Sequence, residues 1–115
     1  MKVISKDQCP GHYIWGNDCI GWDFVDGPSL SVKLENMPPH TSEIRHFHHQ
    51  AQQFFFVLQG EAKFEIENDS VIVQANHGIL ISPYQKHRIL NHTNEALEFI
   101  LISQPSTAND RINCG

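Results

Sequence analysis

Short runs of alternating residues most constrain the fold of this chain of 115 residues. In residues 61–67, Ala62, Phe64 and Ile66 alternate with charged residues. A period of two places the apolar side chains on one face of a β-strand. The helical period of 3.6 is almost absent, and Gly, Pro and Asn separate the runs as turn residues do. The sequence therefore predicts an all-β fold.

About eight short strands are predicted on this basis. Short strands with turn signals at close spacing are typical of a sandwich or a barrel, in which strand edges are hidden. The predicted strands cover residues 29–37, 44–48, 54–59, 61–67, 70–74, 79–82, 87–91 and 97–103.

Three regions are predicted along the chain. Residues 1–28 carry both tryptophans and several glycines, and they predict an irregular N-terminal arm with one strand at 20–25. This arm is expected to pack on the barrel or on a partner subunit. Residues 29–103 form the predicted barrel, and residues 104–115 are polar and predict a loose C-terminal tail.

Charge and cysteine content exclude several classes of protein. The formal net charge is −5, and no basic stripe is present, so neither nucleic-acid binding nor a polybasic membrane contact is expected. The apolar runs are far shorter than the roughly 20 residues that span a bilayer.

No secretory signal is visible, and Cys9, Cys19 and Cys114 lack CxxC spacing. We therefore expect free thiols in a cytoplasmic protein, with a Cys9–Cys19 disulfide as the minority alternative.

Histidine is unusually abundant, with 8 residues. His46 and His48 are two positions apart on a predicted strand, so both imidazoles point to the same face. Two such nitrogens form half of a transition-metal site, although an isolated pair of this kind is more often a polar surface pair. His87 lies on another predicted strand, and Gln53 follows His48 after a short turn.

The wider spacing resembles the two motifs of the cupin superfamily. The segment HTSEIRHFHHQAQQFFFVLQG, residues 40–60, is similar to the first motif, G-x5-H-x-H-x(3,4)-E-x6-G. Residues 76–91 are similar to the second motif, G-x5-P-x-G-x2-H-x3-N. The resemblance covers residues 30–103, and the positions that match are His46, His48, Gly60, His87 and Asn91.

This sequence departs from the family pattern at several positions. His40 and Asn76 stand at the opening glycines, and Ser82 and Tyr84 stand at the usual proline and glycine. Asn tolerates left-handed backbone better than most residues, so the turn at Asn76 can survive the change. The chemically important departure is Gln53, which stands where the family has its glutamate ligand.

The resemblance implies a double-stranded β-helix, a jelly-roll-like cupin barrel, with one divalent transition metal per chain (Fe, Mn, Zn, Ni or Cu). It implies His46, His48 and His87 as ligands, with Gln53 at the fourth position. Because an amide oxygen carries no charge, the site should bind Mg²⁺ and Ca²⁺ weakly and favour an anionic, chelating substrate. A relic site without metal is the alternative.

Residues around the site are assigned from alternation. The pocket walls are expected to be Leu30, Val32, Phe55, Phe64 and Ile89. Tyr84, in the loop before His87, is the one candidate for catalysis, as a proton donor. Glu43, Glu61 and Glu65 are interpreted as solvated, so no carboxylate acid or base is expected inside the barrel.

Phe54, Phe56 and Leu58 are predicted to point out of the barrel, while Gln53, Phe55 and Val57 point inward. Outward apolar side chains need a cover, which the N-terminal arm or a second copy of the chain can supply. A homodimer is therefore the predicted assembly.

Three functions remain open from the sequence. The first is a metal-dependent enzyme that acts on a small oxygen-rich molecule by dioxygenation, isomerisation, decarboxylation or lyase chemistry. The second is a non-catalytic module that binds a small molecule or a sugar. The third is a metal-free structural dimer, since a fold alone does not determine function.

Overall fold

The computed structural model describes residues 2–114, and the secondary structure of these residues consists of strands and turns without any helix. No helix long and apolar enough to cross a membrane is therefore found between residues 2 and 114. The all-β prediction is confirmed. The strands are β1 Gly11–Trp15, β2 Cys19–Asp26, β3 Ser31–Met37, β4 Thr41–Ser42, β5 His46–His48, β6 Gln52–Gln59, β7 Glu61–Ile66, β8 Asp69–Gln74, β9 Gly78–Ile81, β10 His87–Asn91, β11 Leu97–Gln104 and β12 Arg111–Asn113.

The strands form two antiparallel sheets. The first sheet has the order β1-β2-β3-β11-β6-β9, and the second has the order β12-β5-β10-β7-β8, with β4 also paired to β10. From β3 onward the chain passes repeatedly from one sheet to the other, which is the double-stranded β-helix that was predicted. Because of this winding, β5 and β10 are neighbours although some forty residues separate them. The largest fully buried side chains of the core are Phe64, Phe99, Met37, Ile81, Ile89 and Leu97.

The two ends of the chain are more regular than the sequence indicated. Strands β1 and β2 form a hairpin that extends the first sheet beside β3, and Trp15 pairs with Cys19 across its turn. Gly16 and Asp18 both have positive φ in that turn, which lets the chain reverse over three residues. At the other end, β12 pairs with β5. Cys9, Cys19 and Cys114 are free thiols.

Strand β3 faces the opposite way from the sequence expectation. Ser31 and Glu35 are buried inside, whereas Leu30 is 39 % exposed and Val32 lies on the outer face. Val32 pairs with apolar residues of β2 and β11, and together these side chains form an apolar patch on the outer surface of the sheet. Leu30 and Val32 were expected as pocket walls, and this expectation is wrong because the alternation marks two faces without stating which one is internal.

Strand β6 follows its predicted orientation. Gln53, Phe55 and Val57 are buried, whereas Phe54 and Leu58 are 37 % and 43 % exposed. The face of β6 that carries Gln53 therefore points into the space between the sheets.

We expect Gly60→Ala to lower the free energy of unfolding by about 1–3 kcal/mol. Gly60 joins β6 to β7 with φ 84°, and an added Cβ would lie 2.5 Å from the Ala96 carbonyl oxygen. Gly11→Ala is the matched control, since its nearest neighbour is an ordinary 3.5 Å away. Urea denaturation of the three proteins measures the difference. Equal stability of the two variants would contradict the argument.

Candidate metal centre

Strands β5 and β10 bring three buried histidines together. His46 and His48 lie on the same face of β5, and His87 of β10 is registered with His46. The centroid of the His46 ring lies 4.9 Å from that of His48 and 4.4 Å from that of His87. One ring nitrogen from each histidine lies within 4.8 Å of the others. This spacing allows one cation to contact all three imidazoles.

A backbone carbonyl orients each imidazole. A carbonyl oxygen only accepts hydrogen bonds, so each Nδ1 must carry the proton and each Nε2 keeps its lone pair. Metal-ligating histidines have this arrangement, in which the second ring nitrogen donates to a carbonyl or carboxylate. The three bonds are His46 Nδ1 to Ile44 O (2.8 Å), His48 Nδ1 to Asp110 O (2.9 Å) and His87 Nδ1 to Gln85 O (2.8 Å).

Three buried atoms at this point have no hydrogen-bond partner among the described residues. They are His48 Nε2, His87 Nε2 and Gln53 Oε1. Gln53 Nε2 donates to Ser103 Oγ over 3.1 Å, which leaves the amide oxygen unpaired. Buried polar atoms are normally paired, so this cluster of lone pairs is a candidate site for a cation. Three imidazole nitrogens and one neutral oxygen fit a divalent transition metal.

The histidines are held in the form that binds metal. Burial lowers the pKa of His46 to about 3 and that of His87 to about 4, and it also lowers the pKa of His48. The hydrogen bonds to the carbonyls act in the other direction, but burial outweighs them. All three rings are therefore neutral at pH 7, as metal ligation requires.

A cavity of about 280 Å³ lies beside the histidines. It lies between the two sheets, and its walls combine charged and hydrogen-bonding side chains with apolar ones. His46, His48 and Gln53 line one part of it, and the other lining residues are Tyr13, Trp15, Lys33, Glu35, Glu43, Phe55, Leu101, Thr107 and Arg111.

The other residues assigned from the sequence fall in three places. Phe55 lines the cavity, whereas Phe64 and Ile89 belong to the buried core and do not line it. Tyr84 is 65 % exposed and stacks on His49 at 5.4 Å between ring centroids. Because Tyr84 does not line the cavity, the geometry gives no support to its proposed role as a proton donor there.

A tyrosine–glutamate pair on the cavity wall was missed by the sequence analysis. The Tyr13 hydroxyl donates to the Glu35 carboxylate, although one strand lies between them. Gly21 of that strand is registered with both residues, and a Cβ there would come within 2.1 Å of Tyr13 Cζ. The absence of a side chain at Gly21 therefore lets the tyrosine lie across β2. Burial raises the pKa of Glu35, and burial together with the Glu35 charge raises that of Tyr13.

Glu43 is a second carboxyl group in the cavity, although the sequence analysis placed it in solvent. Its Oε1 accepts from the backbone N–H of Ile89 at 3.1 Å and lies 4.0 Å from His46 Nδ1. Burial raises the pKa of Glu43 to about 8, and the nearby Arg111 guanidinium acts against this rise. Glu43 precedes β5 by a few residues, and its alternation alone carried no signal that distinguished it from a surface residue.

Fold and site together define a double-stranded β-helix protein with a candidate metal centre between its sheets. The family model described as "Cupin domain" matches residues 33–103, which is more than half of the chain. The chain therefore belongs to the cupin family, as the resemblance of its two motifs indicated. No curated protein sequence matches this chain.

Solved structures support the same fold. An uncharacterized conserved protein with a double-stranded β-helix domain from Klebsiella pneumoniae subsp. pneumoniae is 19 % identical, with a TM-score of 0.81 and coverage of 100 % of this chain and 98 % of that chain. A predicted oxalate decarboxylase from Thermotoga maritima is 17 % identical, with a TM-score of 0.80 and coverage of 91 % and 100 %. A polyketide cyclase from Streptomyces resistomycificus is 15 % identical, with a TM-score of 0.80 and coverage of 92 % and 80 %. At these identities the likeness shows the fold alone.

We expect Glu35→Gln to stabilise the protein relative to wild type increasingly as the pH rises above 4.5. The ordinary pKa of the glutamate is 4.5, and burial raises it in the folded state. Above pH 4.5 the unfolded chain loses this proton first, so wild-type stability falls as the pH rises toward the folded pKa. Glutamine cannot ionise and removes this loss. Urea denaturation between pH 4 and 8 measures the difference.

Glu65→Gln is the control of opposite sign. The hydrogen bond from Arg88 lowers the pKa of Glu65, so the contribution of this group is present above pH 4.5 and is lost at lower pH. A difference between wild type and Glu35→Gln that does not change with pH would contradict the burial argument.

Proposed function

We propose that this protein is a metal-dependent enzyme that acts on a small, oxygen-rich molecule. The observation that carries the proposal is the cluster of unpaired buried atoms, His48 Nε2, His87 Nε2 and Gln53 Oε1, beside a polar cavity. A divalent Fe, Mn, Zn, Ni or Cu ion would supply Lewis-acid chemistry, or redox chemistry with O₂, to an oxygen ligand of the substrate.

The residues at the centre have separate roles in this proposal. His46, His48 and His87 hold the ion, and Gln53 supplies a neutral oxygen or leaves that position to the substrate. Because none of these four groups is anionic, the ion keeps its positive charge and favours an anionic, chelating ligand. Arg111 adds a second cation at the cavity wall.

The Tyr13–Glu35 pair supplies the acid–base group that the sequence analysis did not find. A buried carboxyl group with a raised pKa can act as a general acid or base. Isomerisation and lyase reactions need such a transfer, so the pair favours these classes over simple dioxygenation. Decarboxylation is also compatible, because the product carbanion must be protonated.

A non-catalytic binding module is the second candidate. The same cavity wall carries Glu35, Glu43 and Trp15, a combination that suits the hydroxyl groups and apolar face of a sugar. In that case the metal would anchor a ligand that leaves unchanged. Turnover of a bound compound distinguishes the enzyme from the binding module. If the protein takes up no metal, the metal-free structural dimer is the function that remains.

We expect His48→Ala and His87→Ala each to lower the affinity for Zn²⁺ and Co²⁺ by at least 100-fold, because each removes one of three strong ligands. Isothermal titration of protein purified without a metal-affinity tag measures the dissociation constants. His77→Ala is the control, since His77 is exposed and lies outside the cavity. Absence of any metal uptake by the wild-type protein would refute the proposal.

We expect Gln53→Glu to tighten the binding of Mn²⁺ and Fe²⁺, because it adds the charge that hard cations favour. The wild-type glutamine oxygen is already placed without another partner. Titration of both proteins with Mn²⁺ under anaerobic conditions compares the affinities. Weaker binding by the variant would show that Gln53 does not contact the ion.

We also propose a homodimer that forms through the outer face of the first sheet. Phe54 is registered with Leu80 and Ile102 on neighbouring strands, and Leu80 is 56 % exposed. Phe54→Lys should therefore convert a dimer into a monomer at micromolar concentration. Ile72→Lys is the matched control, since Ile72 is 44 % exposed on the other sheet. Light scattering that gives a monomeric mass for the wild-type protein would contradict the dimer.

A further inference from the structure

The strand that carries two of the three histidines has little support from the barrel itself. Strand β5 is three residues long and shares only the His87–His46 pair with β10 in the described register. Its other edge is covered by β12, near the C-terminal end of the chain. The registered pairs are Arg111 with His48, Ile112 with Phe47 and Asn113 with His46. The direction of these imidazoles therefore depends on the C-terminal segment, residues 104–114.

Asp110 contacts both His48 and the turn that follows it. Its backbone carbonyl accepts the Nδ1–H of His48 at 2.9 Å. Its carboxylate accepts from the backbone N–H groups of His49, Gln50 and Ala51, at 2.9, 3.0 and 3.0 Å. Asp110 thus fixes the rotation of the His48 imidazole and also holds the backbone of the turn that follows His48.

Arg111 reaches the support of the second histidine. Its Nη2 donates to the carbonyl oxygen of Ile44 at 3.3 Å, and the same oxygen accepts the Nδ1–H of His46 at 2.8 Å. Its Nη1 lies 3.9 Å from Glu43 Oε2. The C-terminal segment therefore supplies the hydrogen-bond partner of His48 and contacts that of His46.

We propose that Asp110 is a positioning residue of the metal centre and sets the direction in which the His48 Nε2 lone pair points. This inference rests on the proposed metal binding and adds the C-terminal segment to the site. Removing the hydrogen-bond partner of a ligating histidine typically lowers metal affinity by about 10- to 100-fold. The Asp110 side chain acts on the His48 hydrogen bond indirectly. Its carboxylate holds the C-terminal segment against the turn 49–51, and this places the Asp110 carbonyl beside His48.

The test compares Asp110→Ala and Asp110→Asn with wild type by titration with Co²⁺ and Zn²⁺. We expect affinity to fall about 10- to 100-fold in Asp110→Ala and less in Asp110→Asn, since the amide oxygen still accepts from part of the turn. Glu98→Gln is the control, because Glu98 also binds side chains from other parts of the fold, Lys6 and Asn36, but lies away from the cavity. The control should bind metal as wild type does.

A second measurement uses the metal-free protein. Long-range ¹H–¹⁵N spectra of the imidazoles should show His48 as the Nδ1–H tautomer in wild type and a mixture of tautomers in Asp110→Ala. If Asp110→Ala does not fold, Asp110→Asn carries both measurements. Unchanged metal affinity and an unchanged tautomer in a folded variant would overturn the inference. If wild type takes up no metal, the proposed function fails, and the tautomer comparison still decides whether Asp110 positions His48.

Discussion

The hydrogen bond from each histidine Nδ1–H to a backbone carbonyl is the interaction on which the whole site depends. A peptide oxygen cannot change its protonation, so the tautomer of His46, His48 and His87 is set by the backbone. Burial lowers the pKa of each ring and keeps it neutral. Three Nε2 lone pairs are therefore held toward one point before any ion arrives, which reduces the reorganisation that binding requires.

Sequence patterns identified the histidines because their geometry is local or carried by a motif. His46 and His48 share a face through simple alternation, and the resemblance of the second motif added His87. Alternation could not place Glu35, because the apolar face of β3, with Val32 and Leu34, packs on the outer side of the sheet, and the pattern does not say which face is internal. Packing decides this point: Leu34 is registered with Trp22 of the N-terminal hairpin on the outer face, and it is buried there.

Contacts between distant segments explain what the sequence could not show. Asp110 and Gly21 have unremarkable sequence neighbours, and each acquires its role only when another strand lies beside it. Gly21 makes space for a tyrosine from β1, and Asp110 holds a turn sixty residues away in the chain. Such pairings depend on tertiary structure, so the sequence pattern of these two segments predicts only an irregular arm and a loose tail. Both segments instead complete the cavity, through Tyr13 at one end and Arg111 at the other.

The distribution of charge in the cavity follows from the same contacts. Gln53 is a neutral side chain beside the three histidines, and the carboxyl groups of Glu35 and Glu43 lie on the cavity wall. Burial raises the pKa of both, which favours their neutral forms. An anionic substrate in the cavity would therefore face a candidate metal centre without anionic side chains, and the neutral carboxyl groups would repel it less than carboxylates would. A glutamate at position 53 would place a negative charge beside that substrate. The neutral Gln53 and the raised pKa of the two buried carboxyl groups therefore both favour an anionic substrate.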